Sequence, residues 1–71
     1  MMQYLIIIEK TETGYSAYSP DLPGCVSTGE SREAIDQNMG EAIAFHIEGM
    51  KLDGLDIPQP TTRSAYVEVA A

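Results

Sequence analysis

The chain has 71 residues, 11 of them acidic against 4 basic, and a net charge of −7 at neutral pH. A single domain of this size buries only roughly 60% of the surface its unfolded chain exposes, and Cys25, the sole cysteine, excludes an intrachain disulfide as a staple. Lys10, Arg32, Lys51 and Arg63 are scattered, which argues against nucleic-acid binding because that draws most of its non-specific free energy from cations at phosphates.

Acidity of this degree suits a basic protein partner, through steering and complementary potential, and it also keeps a small protein soluble. The longest apolar run, residues 4–8, is far too short to cross a bilayer. No charged segment precedes a longer apolar stretch, so no signal peptide is expected. A lone thiol fits a reducing compartment, and the expected location is the cytoplasm.

Residues 3–10 contain Tyr-Leu-Ile-Ile-Ile, apolar on both alternating sets. That pattern predicts a strand buried on both faces, central in its sheet. A short turn over 11–14 ends in glycine and leads to a second strand over 15–19, with Tyr15 and Ala17 on one face and Ser16 and Tyr18 on the other. Ser-Pro-Asp-Leu-Pro-Gly interrupts it. Pro20 and Pro23 lack a backbone donor and bias their predecessors toward extended geometry, while Gly24 admits a positive φ. The prediction is a stiff loop that presents Asp21 and Leu22 at its tip, followed by a short third strand over 25–28.

Ser31 reads as an N-cap and Glu33 complements the helix dipole, although Ala34 stands where a capping box needs Glu or Gln. Ile35, Met39, Ala42, Ile43, His46, Ile47 and Met50 share one side at about 100° per residue, with Glu33, Gln37, Glu41, Ala44, Glu48 and Lys51 on the other. The expected helix is Arg32–Leu52, stopped by Asp53-Gly54 with glycine at C′. An extended connector over 55–62 carries Pro58 and Pro60. Residues 64–69 alternate Ala65, Val67 and Val69 against Tyr66 and Glu68, which predicts a fourth strand.

The order β-β-β-α-β gives an α+β fold in which the helix is a right-handed crossover. It returns the fourth strand beside the first, for a mixed four-stranded sheet of order 3-2-1-4 with one helix on one face. A single helix cannot cover both faces of a sheet whose central strand is apolar on both, so the chain is expected to be a homo-oligomer, a dimer or higher.

The run YSAYSPDLPGCVSTGES, then a helix carrying EAI, then GLDIPQP and a final strand, resembles the HicB-like antitoxins of type II toxin–antitoxin systems. The resemblance spans about residues 3 to 69 and is most specific at Tyr18-Ser-Pro-Asp-Leu-Pro-Gly-Cys, followed by Gly29 and Ser31. It implies a partial ribonuclease H-like fold and a partner, a small basic HicA-type RNA-cleaving toxin with a double-stranded-RNA-binding-like fold and a catalytic histidine. Many members continue into a helix-turn-helix or ribbon-helix-helix domain. This sequence stops before one, so a single domain over 1–71 without a DNA-binding domain is expected.

A ribonuclease H-like fold raises the question of metal-dependent cleavage, which needs clustered carboxylates. Residues 4–8 carry none. Glu9, Glu41, Glu48 and Glu68 qualify only by number, and Glu41 and Glu48 lie on the solvent side of the helix. Cys25 and His46 lack the spacing of a zinc site and have no evident third group for a nucleophilic pair. The expectation is therefore a non-enzymatic protein without cofactor or metal. It is read as an antitoxin that covers the RNA-binding and active site of its toxin, with Tyr18, Pro20, Asp21, Leu22 and Pro23 as partner-binding candidates. The alternative is a solitary structural or regulatory oligomer of the same fold, and Asp21 alone reads equally as a turn residue.

Overall fold

The computed structural model describes residues 2–71. β1 (Ile7–Lys10), β2 (Tyr15–Tyr18), β3 (Val26–Gly29) and α1 (Arg32–Leu52) follow one another. The strands form an antiparallel sheet of order β1-β2-β3, a meander in which each strand pairs with the next in sequence. A hairpin turn, with the Thr11 N–H donating to the Gly14 carbonyl at 2.8 Å, sets the register Ile7↔Tyr18 and Ile8↔Ala17. The second hairpin sets Ala17↔Ser27 and Tyr18↔Val26.

The helix has the predicted bounds, and its ends explain them. The Ser31 hydroxyl accepts from the Ala34 N–H at 3.1 Å, satisfying one of the free amides of the first turn. At the other end Gly54 has φ +71. Its N–H reaches the Lys51 carbonyl at 3.1 Å, while Leu55 N–H reaches Met50 at 2.9 Å. Those two bonds are the Schellman pattern.

α1 packs against β2 and β3 and buries Ile35 and Met39 with Ala17, Leu22 and Cys25. Tyr4, Ile6, Ile8, Tyr15, Ala42 and Ile43 complete the core. Gly29 allows the helix this close: a Cβ there would sit 2.7 Å from the Ile35 nitrogen. A 21-residue helix is about 31 Å long and a four-residue strand about 13 Å. The sheet therefore supports only the first half of α1. Ile43, His46, Ile47 and Met50 are half-buried, and Phe45 is exposed.

Three expectations are corrected. Residues 64–69 form no strand; they are exposed along their length, so among the described residues the sheet has three strands and not four in the order 3-2-1-4. β1 in consequence is an edge strand that begins at Ile7, and residues 4–8 are half-buried rather than enclosed on both faces. The physical reason is common to both: the pattern of residues 64–69 suits a strand, but a strand exists only where a partner supplies the other half of its hydrogen bonds. The third correction is Leu22, which lies in the core and not at an exposed tip.

Candidate protein-binding face

The Ser19–Cys25 segment consists of two successive turns. Leu22 N–H donates to the Ser19 carbonyl and Cys25 N–H to the Leu22 carbonyl, each at 3.1 Å. Pro20 and Pro23 occupy the second position of each turn, where a fixed φ near −65° is already correct. Gly24, at φ +81, takes the third position of the second turn, as a type II turn requires. Leu22 is the shared residue, and its side chain is fully buried. Burying a leucine contributes about 1.5–3 kcal/mol, so the loop is pegged to the core at its midpoint. Ser19, also buried, ties it to the segment that leads into β1 through its hydroxyl, which donates to the Leu5 carbonyl at 3.1 Å.

The other predicted site residues fall outside the core. Tyr18 is 42% exposed, Pro20 and Pro23 are exposed, and Asp21 is partly so. Tyr18 belongs to the sheet face opposite α1. Its partners in register are Ile7 on one side and Val26, 65% exposed, on the other. These three side chains make an apolar row across all three strands, beside the two proline turns. The sequence alone had not joined Ile7 and Val26 to Tyr18, because cross-strand neighbours depend on hairpin register.

Asp21 faces the C-terminal segment instead of a free surface. Its carboxylate accepts from the Thr62 hydroxyl at 2.7 Å, the Thr62 N–H at 3.1 Å and the Thr61 hydroxyl at 3.3 Å. The Thr62 hydroxyl above all, then the Thr62 backbone, holds its pKa below the ordinary carboxylate value. The structure brings Asp21 together with Thr61 and Thr62, a pairing with no local signal in the sequence.

The second half of α1 forms an apolar groove with the loop, lined by Pro23, Val26, Phe45, His46, Met50 and Leu55 among others. Cys25 also borders it, and burial pushes the Cys25 thiol up, keeping it protonated. A protonated thiol is a poor nucleophile. Glu9, Glu41, Glu48 and Glu68 are all exposed, and among the described residues no three His, Cys, Asp or Glu side chains could jointly hold a metal ion. Among the described residues no helix is long and apolar enough to cross a membrane.

The HicB_like antitoxin of bacterial toxin-antitoxin system family matches residues 4–70. The chain belongs to the HicB-like antitoxin family. It is 42% identical over 66 residues to an uncharacterized 14.9 kDa protein of the rep-hol intergenic region of Haemophilus phage HP1, covering 93% of this chain and 50% of that protein. It is 32% identical over 71 residues to Antitoxin HicB 2 of Photorhabdus laumondii subsp. laumondii, covering 99% of this chain and 51% of the relative. This HicB-like chain thus spans about half the length of both. Among solved structures it resembles a chain of the HicA3 and HicB3 toxin-antitoxin complex, with TM-score 0.75 and 38% identity over 84% of this chain and 70% of that one.

Proposed function

We propose that this HicB-like chain is a non-enzymatic antitoxin that binds a small basic HicA-type toxin and denies it RNA. The observation that carries the reading is the likeness, at 38% identity, to a chain of a structure that is itself a toxin–antitoxin complex. The mechanism is competition. The exposed Tyr18 row and the proline turns cover the toxin's active surface, and carboxylates of a chain with net charge −7 take positions that RNA phosphates would occupy. Opposite fields speed the encounter, and desolvated anchors hold the complex.

Within this mechanism Tyr18, Pro20 and Pro23 touch the partner. Leu22 acts from the core by holding both turns in place, and Asp21 by fixing the segment that follows the helix. The test is co-expression in bacterial cells with the HicA-type toxin from the adjacent reading frame. Growth is expected to recover, with the toxin co-purifying on the antitoxin. Continued growth arrest while the chain accumulates in folded form would overturn the reading.

A further inference from the structure

α1 outruns the sheet, and its second half turns apolar side chains to solvent. Phe45, the single phenylalanine of the chain, is 82% exposed, Val26 65% and Leu55 57%. At about 100° per residue Phe45 falls between the buried stripe and the polar side of the helix, so the fold itself makes little use of it. With Pro23, Gly49 and Met50 these residues line a groove of about 700 Å3 between the helix and the proline turns, room for several apolar side chains. An apolar patch with a polar rim marks an interaction surface.

Gly49 is a second, independent sign. Glycine disfavours a helix relative to alanine. Its φ is not positive, and a Cβ there would meet nothing within 4 Å, so neither backbone geometry nor packing within the chain calls for it. Bare backbone in a groove admits the close approach of another molecule.

The rim sets the charge of the occupant. Glu41 and Glu48, both exposed, stand one turn before and one turn after Phe45, and Asp53 lines the groove itself. Lys51, the one Lys or Arg within residues 42–52, lies about 120° round the helix from Phe45. A second copy of the chain would set one acidic rim against another, whereas a basic partner is drawn to it. The groove also runs into the surface around Tyr18, because Val26 lines the one and pairs with Tyr18 in the other.

We propose that this groove is a further contact for the basic toxin, additional to the Tyr18 row. An amphipathic segment of the toxin lays apolar side chains over Gly49 and against Phe45, while its Lys or Arg side chains meet Glu41, Glu48 and Asp53. The inference rests on the antitoxin reading above and adds a second face, joined to the first at Val26.

Affinity and association kinetics for the HicA-type toxin test it, with wild type and four variants. Phe45→Ala removes an exposed side chain. It is expected to keep the helical circular dichroism and to raise Kd roughly 30-fold or more, as loss of an interface anchor does. Gly49→Ala is expected to raise the thermal midpoint of the free chain and yet to weaken toxin binding about tenfold, because the added methyl overfills the contact. Gly40→Ala is the control, nine residues earlier and so on the opposite side of α1, where a Cβ also meets nothing within 4 Å. It should raise the midpoint and leave Kd unchanged. Glu48→Lys should slow association, most at low salt. A wild type that binds no toxin overturns the antitoxin reading and this inference with it. If the wild type binds, and Phe45→Ala and Gly49→Ala bind equally well, the groove alone is overturned. So it is if Phe45→Ala weakens self-association of the free chain while its toxin affinity stays at the wild-type value.

Discussion

Two segments of this chain each carry two prolines, and they fold in opposite ways. Between β2 and β3, Pro20 and Pro23 sit three residues apart and each opens a turn, so the chain doubles back around Leu22. After α1, Pro58 and Pro60 sit two apart, too close for each to open its own four-residue turn, and the chain runs extended until Asp21 takes hold of Thr62. Proline fixes φ in both. What differs is the apolar residue between the prolines and the glycine after them: Leu22 and Gly24 in the loop, Gln59 and Thr61 in the connector. A rigid loop results where fixed dihedrals and a buried side chain agree; with fixed dihedrals alone the chain is stiff but needs a tether.

The sharpest way to break the contrast is Leu22→Ala. Removing a fully buried leucine costs about 2–5 kcal/mol, a large part of the stability of a chain of 71 residues. Urea denaturation should show a loss in that range, and a loss under 1 kcal/mol would mean that the prolines hold the loop without the peg. Gly24→Ala comes next. A Cβ there meets nothing within 4 Å, so the whole cost is the left-handed backbone, about 1–2 kcal/mol. Pro60→Ala in the connector should change stability by less than ~0.5 kcal/mol. Equal effects at the two sites would erase the distinction.

The smallest effect concerns the tether. The pKa of Asp21 in the folded chain lies below its ordinary 3.8. The clasp is therefore complete above that value and is lost as pH falls through the lower, folded pKa. The Thr62 amide should lose its protection, relative to its intrinsic exchange rate, across that acid range and already at neutral pH in Asp21→Asn, while the helix is unaffected. Exchange that ignores both changes would remove Asp21 from the account.

The helix was legible to the residue because its signals are local: the Ser31 hydroxyl, the stripe from Ile35, the glycine at 54. The turns were legible from their prolines. Leu22 was not, since a loop position carries no periodicity to mark its inward side; the available signal was its place as the residue common to two proline turns. Residues 64–69 alternate as a strand does, yet pairing is a long-range property, and no local pattern supplies the partner. For the same reason the apolar run at residues 4–8 indicated something to be covered without naming what covers it. The Tyr18 row emerges only once the register is known. Asp21 shows the same limit, because its partners lie 40 and 41 residues away.

The most direct test of the antitoxin reading is the affinity of Tyr18→Ala for the HicA-type toxin, measured beside the wild type. Tyr18 is 42% exposed at the centre of the open row, so its truncation should spare the fold. The expected loss is that of a buried aromatic anchor, about 2–4 kcal/mol, or roughly 30- to 1000-fold in Kd. A folded Tyr18→Ala chain that binds the toxin as tightly as wild type would contradict the assignment of this face.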